Sequence, residues 1–461
     1  MSAENNISSP KTILQVDDEL INNITNLIEG NADKSLLNIF ADLHPADIAE
    51  IINHLNVENA KYAFSILDAE TASEVVTELD EHLREEILKD IDAETITDIV
   101  EELHSDDATD IVSDLPEEVA EHVLENIDEE DAEEVKELLK YDEDTAGGIM
   151  TSNFVFVREN STVNDAIAEV RKNSDEFDHI YHIYVLADDD VLLGIIPLKA
   201  LLTNPLNTPV KDIIDDDLIY VTPDVDQEEV ANIIQKYDLV AIPVVDENRR
   251  MLGRITFDDI VDVIQEEASE DIQKIAGLTE EEEFSYSTFR ISRNRLPWLF
   301  VSLAGELISA VVLKSFQASI EQIIVASFFI PIVMAMGGSS GSQSAIVTVQ
   351  SISTGDIWLN DTLKKLFKEL RVALLNSIVC TIVLLIVTQL FFHTGYRFSM
   401  LLSLTLFIIM VNATMVGAIV PVILKKINID PAIATGPFVA TTNDIIGLLI
   451  YFSLLTTFYV A

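Results

Sequence analysis

Residues 430–459, DPAIATGPFVATTNDIIGLLIYFSLLTTFY, are long and apolar enough to cross a bilayer, yet they carry a carboxylate, Asp444, well inside. Read as one helix with a rise of about 1.5 Å per residue, the stretch puts Asp444 roughly 20 Å from its start, near mid-membrane. An acid at that depth costs at least ~2.5 kcal/mol and usually faces protein or water. Counting by threes and fours from Asp444 gives Thr441, Ala440, Pro437, Gly436, Ile433 and Gly447, a small and polar stripe. Pro437 has no N–H, so within a continuous helix the carbonyl of Ile433 would lose its partner. A free carbonyl at membrane depth is tolerated only against protein or water. The chemistry this face suggests is the wall of a cation path. The alternative is a helix–helix seam in which small residues let backbones touch and one acid finds a buried partner. Intramembrane acids are functional by default, which favours the path.

Other acids stand where soluble helices begin. Asp106, Asp107 and Asp110 crowd one helix start, and Asp259, Asp262, Glu266, Glu267, Glu270 and Asp271 crowd the first half of another, with no basic residue until Lys274. Bunched like charges destabilise a helix unless something neutralises them. Hard oxygen donors at this density suit Mg²⁺ or Ca²⁺ rather than soft metals. For the first group alone, a solvated scaffold is the stronger reading. His179 and His182 are weak metal candidates, because a spacing of three in a strand points them to opposite faces.

The elements that must carry these residues follow from composition. The chain has 461 residues, 48% of them hydrophobic, and a formal net charge of −52. From residue 296 onward eight Lys/Arg meet seven Asp/Glu, so the whole excess of acid lies in the first 295 residues. An almost neutral membrane part therefore follows a strongly acidic soluble part. Such a field attracts cations and excludes nucleic acid as a partner. The single cysteine, Cys380, allows no disulfide within the chain. The first residues lack a basic n-region followed by an apolar run, so no cleavable signal peptide is expected and the soluble part should stay in the cytoplasm.

From about Leu43 to Leu139 the sequence repeats every 12 residues, with the beat at Leu43, Leu55, Leu67, Leu79, Ile91, Leu103, Leu115, Ile127 and Leu139. Each unit opens with a residue suited to an N-cap or first turn, then acids, then an apolar i, i+3, i+4 pattern. Short helices, one per repeat, should stack into a superhelical array. Between Tyr141 and Glu267 an α/β pattern occurs twice: residues 154–172 align with 218–236, and 180–202 with 238–261. Each half reads as strand, helix, strand, acidic turn, strand with Gly194 or Gly253, and helix. This resembles a tandem pair of CBS domains, a regulatory module that often binds adenine nucleotides. Residues 260–278 then read as one amphipathic connecting helix. Five apolar segments follow, at roughly 296–313, 319–349, 366–392, 398–424 and 431–460. Arg290, Arg293 and Arg295, then Lys364, Lys365, Lys368 and Arg371, then Lys425 and Lys426 mark the loops expected inside, with the C-terminus outside. The second segment contains GGSSGSQSA (337–345), suited to close packing, with Gln343 expected to offer its amide to the interior. Glu306 in the first segment is the other deep acid, and its role is open between pairing and protonation.

Taken in order, these parts are similar to the MgtE-type magnesium channels or transporters over nearly the whole chain from about Leu43. The motifs that carry the resemblance are YDEDTAGGIMT (141–151), EEASEDIQKIAG (266–277), GGSSGSQSA and DPAIATGPFVATTND. It implies a multidomain fold: a tail (1–35), an all-α superhelical acidic domain (36–140), two α/β CBS domains (141–204 and 205–262), a connecting or plug helix with linker (263–295), and a transmembrane domain of five α-helices (296–461). It implies a homodimer in the bacterial inner membrane, multi-pass, with Mg²⁺ as cargo and regulator. In the family the acid at Asp444 lines the pore at a dimer axis, with the backbone at Ala440 and the side chain at 436 on the path; Thr441 shares that stripe. Some members carry Asn at 436 and Asn at 339, where this chain has Gly436 and Ser339. The regulatory Mg²⁺ sites fall on Asp259, Asp262, Glu267, Glu270, Asp271 and Asp238, with Asp106 and Asp110 as matches in the repeats.

Two further readings stay open. One is transport of another divalent ion, Co²⁺, Ni²⁺ or Mn²⁺, which the absence of thiolates and sparse histidine disfavour. The other is a membrane-anchored nucleotide-sensing regulatory protein, which deep acids in the spans disfavour. No nucleophile–base grouping or phosphate loop points to an enzyme.

Overall fold

The computed structural model describes residues 16–174, 177, 179–278, 288–353, 362–427, 429–434 and 436–460. They divide into two compact units, Met1–Val263 and Ile264–Ala461. The first opens with helices α1 (Asp18–Glu29) and α2 (Asp33–Phe40). Eight helices follow: α3 (Pro45–Asn53), α4 (Val57–Ser65), α5 (Ala69–Thr77), α6 (Glu81–Leu88), α7 (Ala93–Val100), α8 (Ser105–Ser113), α9 (Glu117–Asn126) and α10 (Glu129–Leu138). Their first residues stand 12 apart without exception. Asn56, Asp68 and Asp92 fix three of these starts by accepting the backbone N–H of Asn59, Thr71 and Thr95.

Helices of 8 to 10 residues are too short to hold alone in water, so packing must stabilise them. The seventh residue of each helix supplies the centre: Ile51, Ala63, Val75, Ile87, Ile99, Ile111, Val123 and Val135 are all at most 1% exposed. The leucine beat seen in the sequence falls instead in the links, where Leu55 and Leu79 are buried but Leu139 is 38% exposed. Alternate helices pack together, α3 on α5, α5 on α7, α7 on α9, and likewise α4 on α6 and α8 on α10. Ile24 and Ile28 of α1 and Leu36 and Phe40 of α2 join the same core, which extends the array ahead of the repeats.

The duplicated α/β module follows. Its first half is β1 (Phe156–Arg158), α11 (Val163–Lys172), β2 (His182–Leu186), β3 (Leu192–Pro197) and α12 (Leu198–Thr203), with sheet order β1-β2-β3. Its second half is α13 (Gln227–Tyr237), β4 (Ala241–Val245), β5 (Met251–Thr256) and α14 (Phe257–Ala276). The hairpins match in detail, with one register shift between Val185 and Leu186 and the same shift between Val244 and Val245. The strand expected at 218–221 is reduced to a single bridge, Val221 to Val244. Val221 N–H donates to Pro243 O at 3.1 Å, and the next donor along the ladder would be residue 223, a proline without an N–H. Gly253 is required by a close approach: a Cβ there would lie 2.5 Å from the carbonyl oxygen of Thr151.

In the second unit the helices are α15 (Thr288–Ser315), α16 (Gln317–Gln322), α17 (Ile324–Ser327), α18 (Ile330–Ser353), α19 (Thr362–Leu390), α20 (Tyr396–Lys426) and α21 (Pro437–Leu455). Among the described residues five stretches are long and apolar enough to cross a membrane: Ile291–Ser315, Ile324–Ser353, Leu363–Leu390, Tyr396–Lys426 and Phe438–Tyr459. α20 packs against α18, α19 and α21, and α21 also against α15 and α18. Tyr451, fully buried, donates its hydroxyl to Ala326 O at 2.8 Å. Apolar side chains such as Leu299, Phe300 and Val311 are more than half exposed, as lipid-facing residues are.

Two expectations about the spans need correction. The last is not one helix from 430: a 3₁₀ turn, Pro431–Ala434, precedes it, and α21 starts at Pro437 after Gly436 with ψ −128°. Pro disfavours the helical conformation in the residue before it and fits the first helical position, where its missing N–H has no partner to lose. Pro437 therefore starts the helix and frees no mid-helix carbonyl. Gln343, expected to face inward, is exposed, and its neighbour Ser344 is buried instead.

Candidate ion path and cation-sensing acids

Asp444 is the eighth residue of α21, half-buried, with Thr441, Ala440 and Gly447 on its face. The carboxyl of Glu306, on α15, lies within hydrogen-bonding reach of Asp444. The two helices meet closely, since a Cβ on Gly305 would come within 2.6 Å of Thr441 Cβ. Two carboxyls facing each other at membrane depth must share a proton or a cation, because two unscreened negative charges there repel strongly. The next residue, Asn443, is 3% exposed and points the other way, into a seam. A Cβ on Gly341 of α18 would collide with its amide, and one on Gly417 of α20 would collide with the carbonyl oxygen of Gly341. The Asp444 face and the seam are thus neighbouring faces of one helix.

Gly436 sits at the head of α21. A side chain there would meet the carbonyl oxygen of Ile275, the last turn of α14, at 2.9 Å. That end of α14 is held by charge. Lys274 pairs with Glu270 and, at 2.8 Å, with Asp430. Burial works against the ammonium of Lys274, but its bonds to Asp430 and Glu270 win and raise its affinity for the proton. Asp271 accepts a hydrogen bond from Ser353 at 2.9 Å, and burial raises its pKa. Glu267 is half-buried on the same helix. A buried acid the sequence did not single out, Glu369 of α19, accepts a hydrogen bond from Ser344 at 2.9 Å.

In the first unit the start of α8 and the start of α14 come together. Burial, then the charge of Asp107, raises the pKa of Asp106; burial, then Asp259, raises that of Asp107; and burial, then Asp106, raises that of Asp259. Asp259 is oriented by Thr256, whose N–H and hydroxyl both donate to its Oδ2, at 3.1 and 2.7 Å. Asp262 is exposed, and its charge falls on Glu78, whose carboxyl burial has already raised. Asp110 stands at the exposed rim of the group. Among the described residues Arg84 is a cation close by, engaged at 2.9 Å with Asp114. Oδ1 of Asp106 is buried without a hydrogen-bond partner. The orphaned oxygen is a hard donor of the kind Mg²⁺ takes, but among the described residues the carboxylates close enough to share one ion are Glu81, Glu85 and Asp114.

Not every candidate joins this group. Asp238 is exposed at the end of α13 in the left-handed conformation, φ 51°, which aspartate tolerates. His179 is exposed and His182 buried, as residues on opposite faces should be. Glu78 and the pairing of Glu306 with Asp444 were not readable from spacing, because they depend on how distant helices meet.

The comparisons with known proteins agree with this layout. Residues 43–144 match the MgtE intracellular N domain, 146–207 and 210–266 match the CBS domain, and 330–454 match the MgtE divalent cation transporter model. The magnesium transporter MgtE of Bacillus subtilis (strain 168) is 34% identical over 321 residues, 70% of this chain and 71% of the relative. The magnesium transporter MgtE of Thermus thermophilus is 34% identical over 319 residues, 68% of this chain and 70% of the relative. A solved structure of the cytosolic domain of the Mg²⁺ channel MgtE in complex with ATP is 31% identical, with a TM-score of 0.50, covering 53% of this chain and all of that one. With its repeat domain, CBS pair and membrane helices each matched in this order, the chain belongs to the MgtE family of magnesium transporters.

Proposed function

We propose that the chain is a Mg²⁺ channel that works as a homodimer in the bacterial inner membrane and is closed by cytoplasmic Mg²⁺. The observation that carries the reading is the facing pair Asp444 and Glu306 on small-residue faces of two spans. Mg²⁺ dehydrates reluctantly, so carboxylates that grip its water shell attract the ion without stripping it. A two-fold axis would double that charge at one level of the path, beside Thr441 and Ala440. The basic clusters Lys364, Lys365, Lys368, Arg371 and Lys425, Lys426 support an orientation with the soluble domains in the cytoplasm and the C-terminus outside.

Closure follows from repulsion. Without Mg²⁺ the acids at Asp106, Asp107 and Asp259 resist being held together, and Asp262, Glu267, Glu270, Asp271, Asp238 and Asp110 add to that charge. Mg²⁺ favours the arrangement in which they converge, and it shifts the equilibrium by its greater affinity for that state. An adenine nucleotide at the CBS pair is a second regulator; the support is the relative whose cytosolic domain was solved with ATP. Mg²⁺ uptake into liposomes holding the purified protein tests the reading: uptake blocked by Asp444→Ala supports it, and uptake unaffected by that change removes the path.

A further inference from the structure

α14 is rich in acids and has one base, Lys274, in its last turn. Glu270 stands four residues before it and pairs with it, the order that suits a helix, and an ammonium suits the C-terminal end of the helix dipole. The helix alone thus accounts for Lys274 and Glu270. It does not account for Asp430, which lies beyond the fourth span.

Asp430 divides its carboxylate between two tasks. Oδ1 accepts the N–H of Ala432 at 2.7 Å, which fixes the 3₁₀ turn Pro431–Ala434 ahead of α21. Oδ2 takes the ammonium of Lys274 at 2.8 Å. Ala432 is fully buried, so the turn is anchored in its own unit.

The end of α14 is as firm. Gly277, with φ 73°, closes the helix: its N–H donates to Lys274 O at 3.0 Å, and that of Leu278 to Gln273 O at 2.9 Å. The last turn therefore holds its shape, and it meets the membrane helices at three points. Asp271 accepts from Ser353 at the end of α18, Lys274 reaches Asp430, and Ile275 O abuts Gly436.

The two ends of α14 differ in their electrostatics. At its start Asp259 and its acidic neighbours repel one another, and a free cation must offset that repulsion. At its last turn a tethered ammonium already lies between Glu270 and Asp430. A cation carried by the chain is never diluted, so this contact does not follow the Mg²⁺ concentration.

We propose that Lys274 is a positioning residue: by bridging Glu270 to Asp430 it docks the end of α14 on the head of α21 without Mg²⁺, and so sets how much Mg²⁺ closure requires. The effect on closure rests on the Mg²⁺-gated channel proposed above; the docking does not. The pair is partly open to water, with 29% and 31% of the two side chains exposed, so its effect on docking is modest.

Hydrogen exchange of the full-length protein in nanodiscs, in EDTA, tests the docking. Lys274→Met and Asp430→Asn should each speed exchange at the amides of residues 271–278 about fivefold. Methionine keeps the apolar stem of the lysine. Asparagine keeps an oxygen for Ala432 N–H and loses the charge that attracts the ammonium. Lys274→Arg should exchange like the wild type, and the double variant no faster than the faster single one. Unchanged exchange in both single variants, additive acceleration in the double, or fast exchange in Lys274→Arg overturns the proposal. If one single variant fails to assemble on size-exclusion chromatography, the other decides alone. Patch recording reads the consequence: the Mg²⁺ needed for half-closure should rise about twofold to fivefold in Lys274→Met and Asp430→Asn, and an unchanged midpoint in both overturns the proposal. A wild type without Mg²⁺ current would overturn the channel reading and leave exchange to decide the docking.

Discussion

Asp444 and Asp106 are both carboxylates held away from water, and their surroundings differ in kind. Among the described residues Asp444 has one acidic neighbour, Glu306, and otherwise small residues such as Gly305, Thr441 and Gly447. Asp106 has a crowd, with Asp107, Asp259 and Glu78 converging from two repeat helices and the start of α14. On the proposed function, a single pair would attract a divalent ion yet let it go, as conduction needs, and a crowd of acids would retain it, as sensing needs.

The sharpest way to break that contrast is at the pair. Asp444→Ala should lower Mg²⁺ flux into liposomes by about 100-fold or more, because the membrane offers little else to offset the charge of the ion. Size-exclusion chromatography should show the assembly unchanged. Glu306→Gln should cost less, about tenfold, since one carboxylate remains on each chain. Equal flux in both variants and the wild type would mean that the pair is a packing contact.

At the crowd, conduction should survive and its control should not. Replacing Asp259, Asp262, Glu267, Glu270 and Asp271 by their amides should raise the cytoplasmic Mg²⁺ needed for half-closure by about tenfold or more. Asp106→Asn should do the same more weakly. Patch recording across a Mg²⁺ series reads both, and a midpoint unchanged in every variant would place the sensor elsewhere.

A smaller effect concerns pH. Asp106 and Asp107 have pKa values raised from 3.8 to about 6 in the folded chain, so within that window the folded state binds more protons than the unfolded one. Their contribution therefore makes stability fall as pH rises from about 4 to about 6. In EDTA the melting temperature of the wild type should drop by a few degrees across this window relative to the variant with Asp106→Asn and Asp107→Asn. Mg²⁺ should cancel the difference. A wild type and variant with parallel pH profiles in EDTA would show that the two acids are not strained by burial.

The smallest expected effect is at Gly436, where Gly436→Ala forces a methyl against Ile275 O. The end of α14 must yield by a few tenths of an ångström, which should raise the open fraction at high Mg²⁺ about twofold. A closure curve identical to the wild type would show that α14 gives way freely.

Much of this architecture was legible because it is local. The 12-residue period predicted helix starts that fall at 45, 57, 69 and onward, and the five spans lie where the apolar runs placed them. What was misread depends on one backbone atom or on a distant neighbour. Pro437 was taken for a break within a helix when it begins one, and Pro223 shortens a strand that the aligned repeat predicted in full. Glu306 could not be assigned, because the relative rotation of α15 and α21 is set by Gly305 against Thr441, a contact that no pattern along the chain encodes.

The uniform spacing of the repeat helices carries a consequence for how such a domain can change length. Because α3, α5, α7 and α9 pack in succession, as do α4 on α6 and α8 on α10, the array has two alternating layers. Removing 12 residues would keep every cap in phase but exchange the layers beyond the cut. Removing 24 would restore both phase and layer. Insertions and deletions in this domain are therefore tolerated most readily in steps of two helices, and α8, which carries Asp106, keeps its side of the array only under that arithmetic.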